Sequence, residues 1–317
     1  MTDRKKINLV YVASIGRSGS TLLESMLGAH SQMATTGEVH LWPHEILQGG
    51  VRPCGSGKFV QEDPFWIEMR RRADPLTQPH PQIHFFREKH NAGRTLRRER
   101  LSDFQPRPLA EDVRQMVRQY GENNYHLFNT FIDLVEETVG RRPEWVVDAS
   151  KDPYRLLWFL RSGLFNIKVF HLVKNPSGFV YSVTKEWLES DDPLRDMKRL
   201  YFTARQSMAW VIQNQLFSKI ASNYLDQSNY LLIQYEELAT RPKETFRRVC
   251  EVIGCPYEEA AVDRFREGSQ FTIAGNPMRY DNRGIFLDEK WKTRLPQSSR
   301  RVAELVTKIN RARFGYS

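Results

Sequence analysis

The sequence predicts an α/β fold with a central, mainly parallel sheet flanked by helices, and three observations carry that expectation. Apolar, β-rich runs alternate with helical patterns along the chain. The first run passes through a short polar turn directly into an amphipathic helical pattern. Polar clusters stand at the ends of four runs, at residues 16–21, 150–152, 174–175 and 235–236. In parallel sheets ligands bind at the carboxyl ends of the strands.

The elements follow in order. The first strand is expected over residues 8–13, where Leu9, Val10, Tyr11 and Val12 are apolar, and the first helix over 21–29, where Leu22, Leu23, Met26 and Leu27 recur at helical spacing. A strand-like piece at 33–35 ends at Gly37-Glu38. Residues 43–105 read as an irregular stretch rich in Pro, Gly, Arg and His, expected as an inserted cap or a mobile lid on the acceptor side of a site. Its most basic run, 94–100, has the composition of a solvated helix face. Residues 109–140 read as a long helix with Val113, Val117, Tyr120, Phe128, Phe131, Ile132 and Val135 on one side. Residues 145–148 form a short buried strand, and Pro153 suits the first turn of the next helix. A strand over 167–173 is broken by Asn175-Pro176, and helices are expected over 178–188 and 200–222. A strand over 230–235, a helix over 242–254, a loop over 275–287 and a closing helix over 298–314 complete the reading.

The 317 residues allow one large α/β domain or two small ones, and the pattern is read as a single domain spanning 1–317. Forty per cent hydrophobic and 12% aromatic residues exclude a disordered chain. The net charge of +9 favours anionic partners without choosing among nucleotides, acidic sugars, nucleic acid and anionic lipid. No apolar run approaches the ~20 residues that span a bilayer, and the amino terminus leads straight into a strand, so the cytoplasm is the expected compartment. Three cysteines are too few for a disulfide framework. Cys250 and Cys255, near a helix end, read as small core residues rather than ligands.

The turn Gly16-Arg17-Ser18-Gly19-Ser20-Thr21 lies between strand and helix, where backbone N–H groups and a helix N-terminus point at an anion. It is similar to a nucleotide-phosphate loop, which makes the expected fold P-loop-like and nucleotide-binding. The triphosphatase pattern GxxxxGK[ST] requires Lys before the hydroxyl residue. Here Ser20 precedes Thr21, so the loop suits a phosphate-bearing nucleotide handled without γ-phosphate chemistry. A plain Gly/Ser turn is the bland alternative.

With these motifs the chain resembles sulfotransferases that use 3′-phosphoadenosine 5′-phosphosulfate (PAPS). The resemblance implies that residues 16–23 hold the 5′-phosphosulfate, through Arg17, Ser18, Gly19, Ser20, Thr21 and Leu22. Residues 170–183 resemble the 3′-phosphate motif, which assigns Lys174 and Ser182 as its ligands. Lys174-Asn175-Pro176 stands where the family has Arg-Asp-Pro, keeping the charge and losing the bidentate fork. Residues 232–238 resemble a Tyr-Glu-Asp-Leu strand end whose Tyr, here Tyr235, lies near the adenine. Arg283-Gly284, followed by Trp291-Lys292, resembles the carboxy-terminal loop that closes over the 3′-phosphate. Residues 148–153 resemble the Lys-Asp-Pro segment of tyrosylprotein sulfotransferases, which gives Lys151 a role in sulfuryl transfer. Residues 54–66 are similar to a Cys-containing insert of bacterial members, of which only Cys54 remains, so no metal or disulfide is expected there. The match runs from residue 8 to about 295, specific for the family and weak for any one substrate.

Sulfuryl transfer is an in-line displacement in which the protein positions the groups and stabilises charge. Lys and Arg supply the cations, so no metal is expected. Glu38 after Gly37 resembles the Gly-Glu of tyrosylprotein and bacterial members. A second Glu is often the catalytic one there; Val39 stands here, so the base is Glu38 or His40. The bland readings are an ion pair of Glu38 with Arg17, a solvated Lys151 at a helix start, a satisfied His40, and plain packing for Trp291. The expected partner is a hydroxyl-bearing acceptor (sugar, phenol, peptide or metabolite) rather than nucleic acid, with the oligomeric state open. Trp42, Phe65, Trp66, Phe85 and Phe86 either stack on an acceptor or form a local core, the core being favoured. A nucleotide kinase or triphosphatase and a non-enzymatic polyanion binder are the alternative functions.

Overall fold

Five strands form one all-parallel sheet in a computed structural model that describes residues 4–50, 52–77, 104–188, 194–275, 280 and 284–316. They are β1 (Ile7–Ser14), β2 (Met33–Gly37), β3 (Trp145–Asp148), β4 (Phe165–Val173) and β5 (Tyr230–Gln234), in the spatial order β2-β3-β1-β4-β5. β1 is central, paired with β3 on one side and β4 on the other.

Both faces of the sheet are covered, and the period of two in the strands divides their side chains between two cores. Leu9, Tyr11 and Ala13 of β1 join Phe128 and Phe131 of α4 (Glu111–Val139), Leu156 and Phe159 of α5 (Pro153–Ser162), and Phe217 of α7 (Arg195–Tyr224). Val10 and Val12 face the other way. They meet Leu22, Leu23 and Met26 of α1 (Ser20–Ala29) and Phe246 and Val249 of α9 (Pro242–Ile253). A third cluster joins Val180 of α6 (Pro176–Thr184), Trp210 of α7 and Ala303 of α12 (Gln297–Arg311).

The structure departs from the sequence reading in two places that matter. The stretch read as irregular from residue 43 holds α2 (Trp42–Leu47) and α3 (Pro64–Ala73). Asp63 caps α3 by accepting from the N–H groups of Phe65 and Trp66, with Pro64 in the first turn. Trp42 and Trp66 are fully buried with ring centroids 5.1 Å apart, and Phe65 packs on Phe131 and Phe271, so these rings form core. Phe85, Phe86 and the 94–100 run lie outside the described residues. The strand expected to reach Tyr235 stops at Gln234, and Tyr235 opens α8 (Tyr235–Thr240), where Glu236 and Glu237 favour a helix start. Two further short helices, α10 (Glu259–Asp263) and α11 (Trp291–Arg294), were not anticipated. Among the described residues no helix is long and apolar enough to cross a membrane.

Candidate active site

All five strands deliver residues to one cleft of about 700 Å³ at their carboxyl ends. Arg17, Gly19, Ser20, Thr21 and Leu22 come after β1, Glu38 after β2 and Lys151 after β3. Lys174 and Ser182 come after β4 and Tyr235 after β5, while Gly284 enters from the later loop. Two residues expected there do not line it: Ser18 is fully buried, and His40 sits in a single turn over Val39–Leu41 with its N–H 3.4 Å from Ser150 Oγ. Arg283 lies outside the described residues.

The loop after β1 is shaped by two left-handed residues, Arg17 at φ 71° and Gly19 at φ 88°. Gly19 cannot carry a side chain, because a Cβ there would lie 2.3 Å from the Tyr235 ring. Gly19 is the residue before α1, and no side chain caps the helix; Leu22 and Leu23 N–H reach back to the Gly19 carbonyl at 3.0 and 3.3 Å. The positive end of α1 therefore faces the cleft with Arg17, which is exposed and forms no ion pair among the described residues.

Lys151 owes its position to buried scaffolding. It adopts φ 60°, a strained conformation for a residue with a side chain. Tyr11 O–H donates to the Asp152 carbonyl at 2.8 Å and accepts from the Asp152 N–H at 2.9 Å. Gln213 Nε2 donates to the Lys151 carbonyl at 2.7 Å and to Ser14 O at 3.1 Å. Asp148, at the end of β3, accepts from Ser150 N–H at 2.8 Å and from Arg155 Nε at 2.7 Å, both of its partners' side chains being buried. Asp152 then caps α5 through the N–H groups of Tyr154 and Arg155. Sequence reasoning passed over Tyr11, Gln213 and Arg155; the first looks like an ordinary strand residue and the second lies mid-helix.

Lys151 Nζ is 2.7 Å from Glu38 Oε1, with side chains 11% and 21% exposed. The bland alternatives do not describe the pair: Glu38 is bound to Lys151 rather than to Arg17, and Lys151 is not a solvated helix-start residue. Gly37 aims it: at φ 70° it closes a bulge in β2, and a Cβ there would lie 2.5 Å from Ile273 O. The Glu38 N–H is fixed to that same carbonyl at 2.9 Å.

Lys174 is 8% exposed, with Nζ 4.4 Å from the Tyr235 ring centroid and no hydrogen-bond or ion-pair partner among the described residues. Burial holds its pKa below the usual lysine range; Glu236 and Asp288 oppose that shift and Arg17 adds to it. Its backbone is anchored by Trp210 Nε1, which donates to the Lys174 carbonyl at 3.0 Å. Asn175 caps α6 by accepting from Ser177 and Gly178 N–H, a task Asp performs equally well, and its own N–H donates to Glu236 Oε1 at 3.0 Å. Ser182 lies two turns along α6, its hydroxyl donating to Phe179 O at 2.6 Å. Trp291 packs over Gly178, 3.2 Å from where a Cβ would stand, beneath the Arg300 guanidinium. Arg52, Lys185 and Arg266 also line the cleft and carried no motif in the sequence, while Tyr181 lines it from within the 170–183 motif without having been singled out.

Comparison with known proteins bears on the family and the fold. The model of the "Sulfotransferase family" matches residues 10–259. A sulfotransferase domain from the Synechococcus PCC 7002 olefin synthase is similar over 96% of both chains at 21% identity and a TM-score of 0.50. A sulfotransferase domain from the curacin biosynthetic pathway is similar over 99% of both chains at 19% identity and a TM-score of 0.52. A Mycobacterium avium sulfotransferase aligns over 99% of this chain and 79% of its own at 12% identity and a TM-score of 0.51. These structures share the P-loop-like nucleotide-binding fold. No curated protein matches the chain.

Proposed function

The chain belongs to the sulfotransferase family, and from that premise we propose that it carries a sulfuryl group from PAPS to a hydroxyl of its acceptor, within the cleft at the strand ends. One observation carries the choice of donor: Lys174, a nearly buried ammonium without an anionic partner among the described residues, shares its cleft with the uncapped N-terminus of α1. A nucleotide with phosphate at two positions satisfies both. The alternative of a triphosphatase finds no lysine before Thr21.

The residues present fit that donor. Arg17, Ser20, Thr21 and the α1 amides would hold its 5′ end, and Lys174 with Ser182 its 3′-phosphate, beside the Tyr235 ring. When bound, the donor supplies an activated sulfuryl group whose transfer leaves 3′,5′-ADP. Glu38 would accept the proton of the acceptor hydroxyl at its carboxylate. Lys151, which lines the same cleft, would stabilise the negative charge that develops on the leaving phosphate. The Glu38–Lys151 ion pair holds the two groups side by side in the cleft. His40 is the less suitable base because it lies off the cleft. The described part of the 43–105 segment is assigned to the acceptor side, a reading supported by Arg52, which lines the cleft.

Incubation with ³⁵S-labelled PAPS and a panel of sugars, phenols, peptides and hydroxylated metabolites tests the proposal. Label is expected on an acceptor and 3′,5′-ADP as co-product. Failure of the protein to bind either nucleotide would overturn it.

A further inference from the structure

A second cluster of reactive side chains lies at the opposite end of α1 from the phosphate loop. α1 has ten residues, so its ends are about 15 Å apart. His30 follows its last residue and is fully buried. Cys250 and Cys255 meet it there, and the two sulfurs and a ring nitrogen all lie within 4.8 Å of one another.

The end of α9 makes the two cysteines neighbours. Gly254 turns left-handed at φ 85°, and the Cys250 carbonyl accepts from Gly254 N–H at 2.8 Å and Cys255 N–H at 3.1 Å. The latter is the six-to-one bond of a Schellman turn. That turn sets the side chain after the glycine against the one three positions before the cap, where an apolar pair is usual. Here both positions are cysteine. Cys250 is 1% exposed, and Cys255 is partly exposed.

The two thiols are electrostatically unequal. Hydrogen bonding from Cys250 holds the Cys255 thiol below its ordinary range, burial opposes this, and His30 assists. The Cys250 thiol is pushed up by the same contact and by burial. A metal fits the cluster less well. His30 Nδ1 accepts from Gln32 N–H at 3.1 Å, and Nε2 is 2.8 Å from the Pro256 carbonyl and 3.7 Å from Glu258 Oε1. Both ring nitrogens are therefore engaged, and a structural zinc site takes four ligands.

We propose that Cys255 and Cys250 are a reversible redox pair that hydroperoxides oxidise to a disulfide, with Cys255 attacking and Cys250 resolving. The Cys255 thiolate attacks one peroxide oxygen; the O–O bond breaks, hydroxide leaves, and Cys255 becomes a sulfenic acid. Cys250 gives up its proton, and its sulfur attacks the Cys255 sulfur. The S–S bond forms as the S–O bond breaks, and water departs. Two thiols lose two electrons, and hydrogen peroxide becomes two waters. Bonding at ~2.05 Å brings together two sulfurs that already lie within 4.8 Å of each other. A dithiol reductant reverses the change.

Trypsin releases both cysteines in one peptide, residues 249–264, so mass spectrometry of the whole protein treated with hydrogen peroxide reads the outcome. The peptide should become two hydrogens lighter and recover with dithiothreitol, while Cys54, buried elsewhere, stays available to alkylation after unfolding. In Cys250→Ser the reaction should stop at a sulfenic acid on Cys255 that dimedone traps, and in Cys255→Ser Cys250 should stay reduced. Any of three results would overturn the proposal. One is an unchanged wild-type peptide under conditions that fully oxidise free cysteine. Another is sulfinic acid on both residues without a disulfide. The last is stoichiometric zinc in the purified protein that thiol-blocking reagents release.

Discussion

Lys151 Nζ and Glu38 Oε1 stand 2.7 Å apart although their residues arrive from different strands, β3 and β2. The contact exists because each backbone is held in an unusual shape. Lys151 is kept at φ 60° by the hydrogen bonds of Tyr11 and Gln213 around it, and Glu38 is aimed by the left-handed Gly37. A strained lysine in a charged pair inside the cleft is what motivates the proposal that the pair takes part in the chemistry.

Removing either partner should separate chemistry from binding. Lys151→Ala is expected to lower kcat sharply while affinity for 3′,5′-ADP stays nearly intact, as read by steady-state rates and calorimetry. Equal losses in both would make Lys151 a binding residue. Glu38→Gln should slow turnover by about 10²–10⁴-fold and His40→Asn far less; the reverse order would move the base to His40.

Tyr11→Phe should damage the site from behind. The substitution removes one hydroxyl that serves both the N–H and the carbonyl of Asp152. Leaving those buried groups unpaired costs about 1–3 kcal/mol, visible in urea unfolding. Because Lys151 adjoins that peptide, kcat should fall with little change in nucleotide affinity. Retention of full activity would show that the turn holds its shape without the clamp.

The buried pair of Asp148 and Arg155 should matter most for folding. Arg155 Nε and Asp148 Oδ2 are 2.7 Å apart with side chains 3% and 0% exposed. Breaking such a pair from one side typically costs about 3–5 kcal/mol, so Arg155→Met should lower the urea midpoint strongly. A midpoint unchanged from wild type would contradict this account of the β3–α5 turn.

Stability should fall on mild acidification because of His171. This residue of β4 is fully buried: Nε2 faces Asn214 Oδ1 at 2.9 Å and Nδ1 faces the Tyr230 hydroxyl at 2.8 Å. Burial pushes its pKa down to about 4, against the hydrogen bond to Asn214. The unfolded chain binds a proton near pH 6.5 and the folded one only near 4, so the contribution is complete above pH 6.5 and lost between those values. Over that window it amounts to about 3 kcal/mol. Thermal melts from pH 7 to 4 should show a weaker acid dependence for His171→Gln than for wild type. Parallel curves would mean that other groups govern the acid limb.

Much of the site was legible because its chemistry lies in contiguous motifs at strand ends. The loop around Arg17 and Thr21, the turn around Lys151 and the Lys174–Ser182 segment all reach one cleft. Contacts between distant residues were not legible. Glu38 and Lys151 are 113 positions apart, and nothing local marks them as partners. Tyr11 has the apolar setting of a strand interior, which hides the task of its hydroxyl. Tyr235 was placed in a strand because its aromatic ring extends the β-rich run, whereas the acidic pair that follows starts a helix. The cap of α3 was visible in Asp63-Pro64 but was obscured by the surrounding Pro- and Arg-rich composition. Cys250 and Cys255 were read as small core residues because their contact with each other depends on the left-handed turn at Gly254.

The central claim is that this cleft grips both ends of an adenosine bisphosphate. Calorimetric titration with 3′,5′-ADP, set beside 5′-ADP, tests it most directly. The account predicts tight binding of the bisphosphate and weaker binding of 5′-ADP, which lacks the 3′-phosphate assigned to Lys174. It also predicts a loss of at least tenfold in Lys174→Ala and in Arg17→Ala. Equal affinity for both nucleotides, undiminished in the two variants, would contradict it.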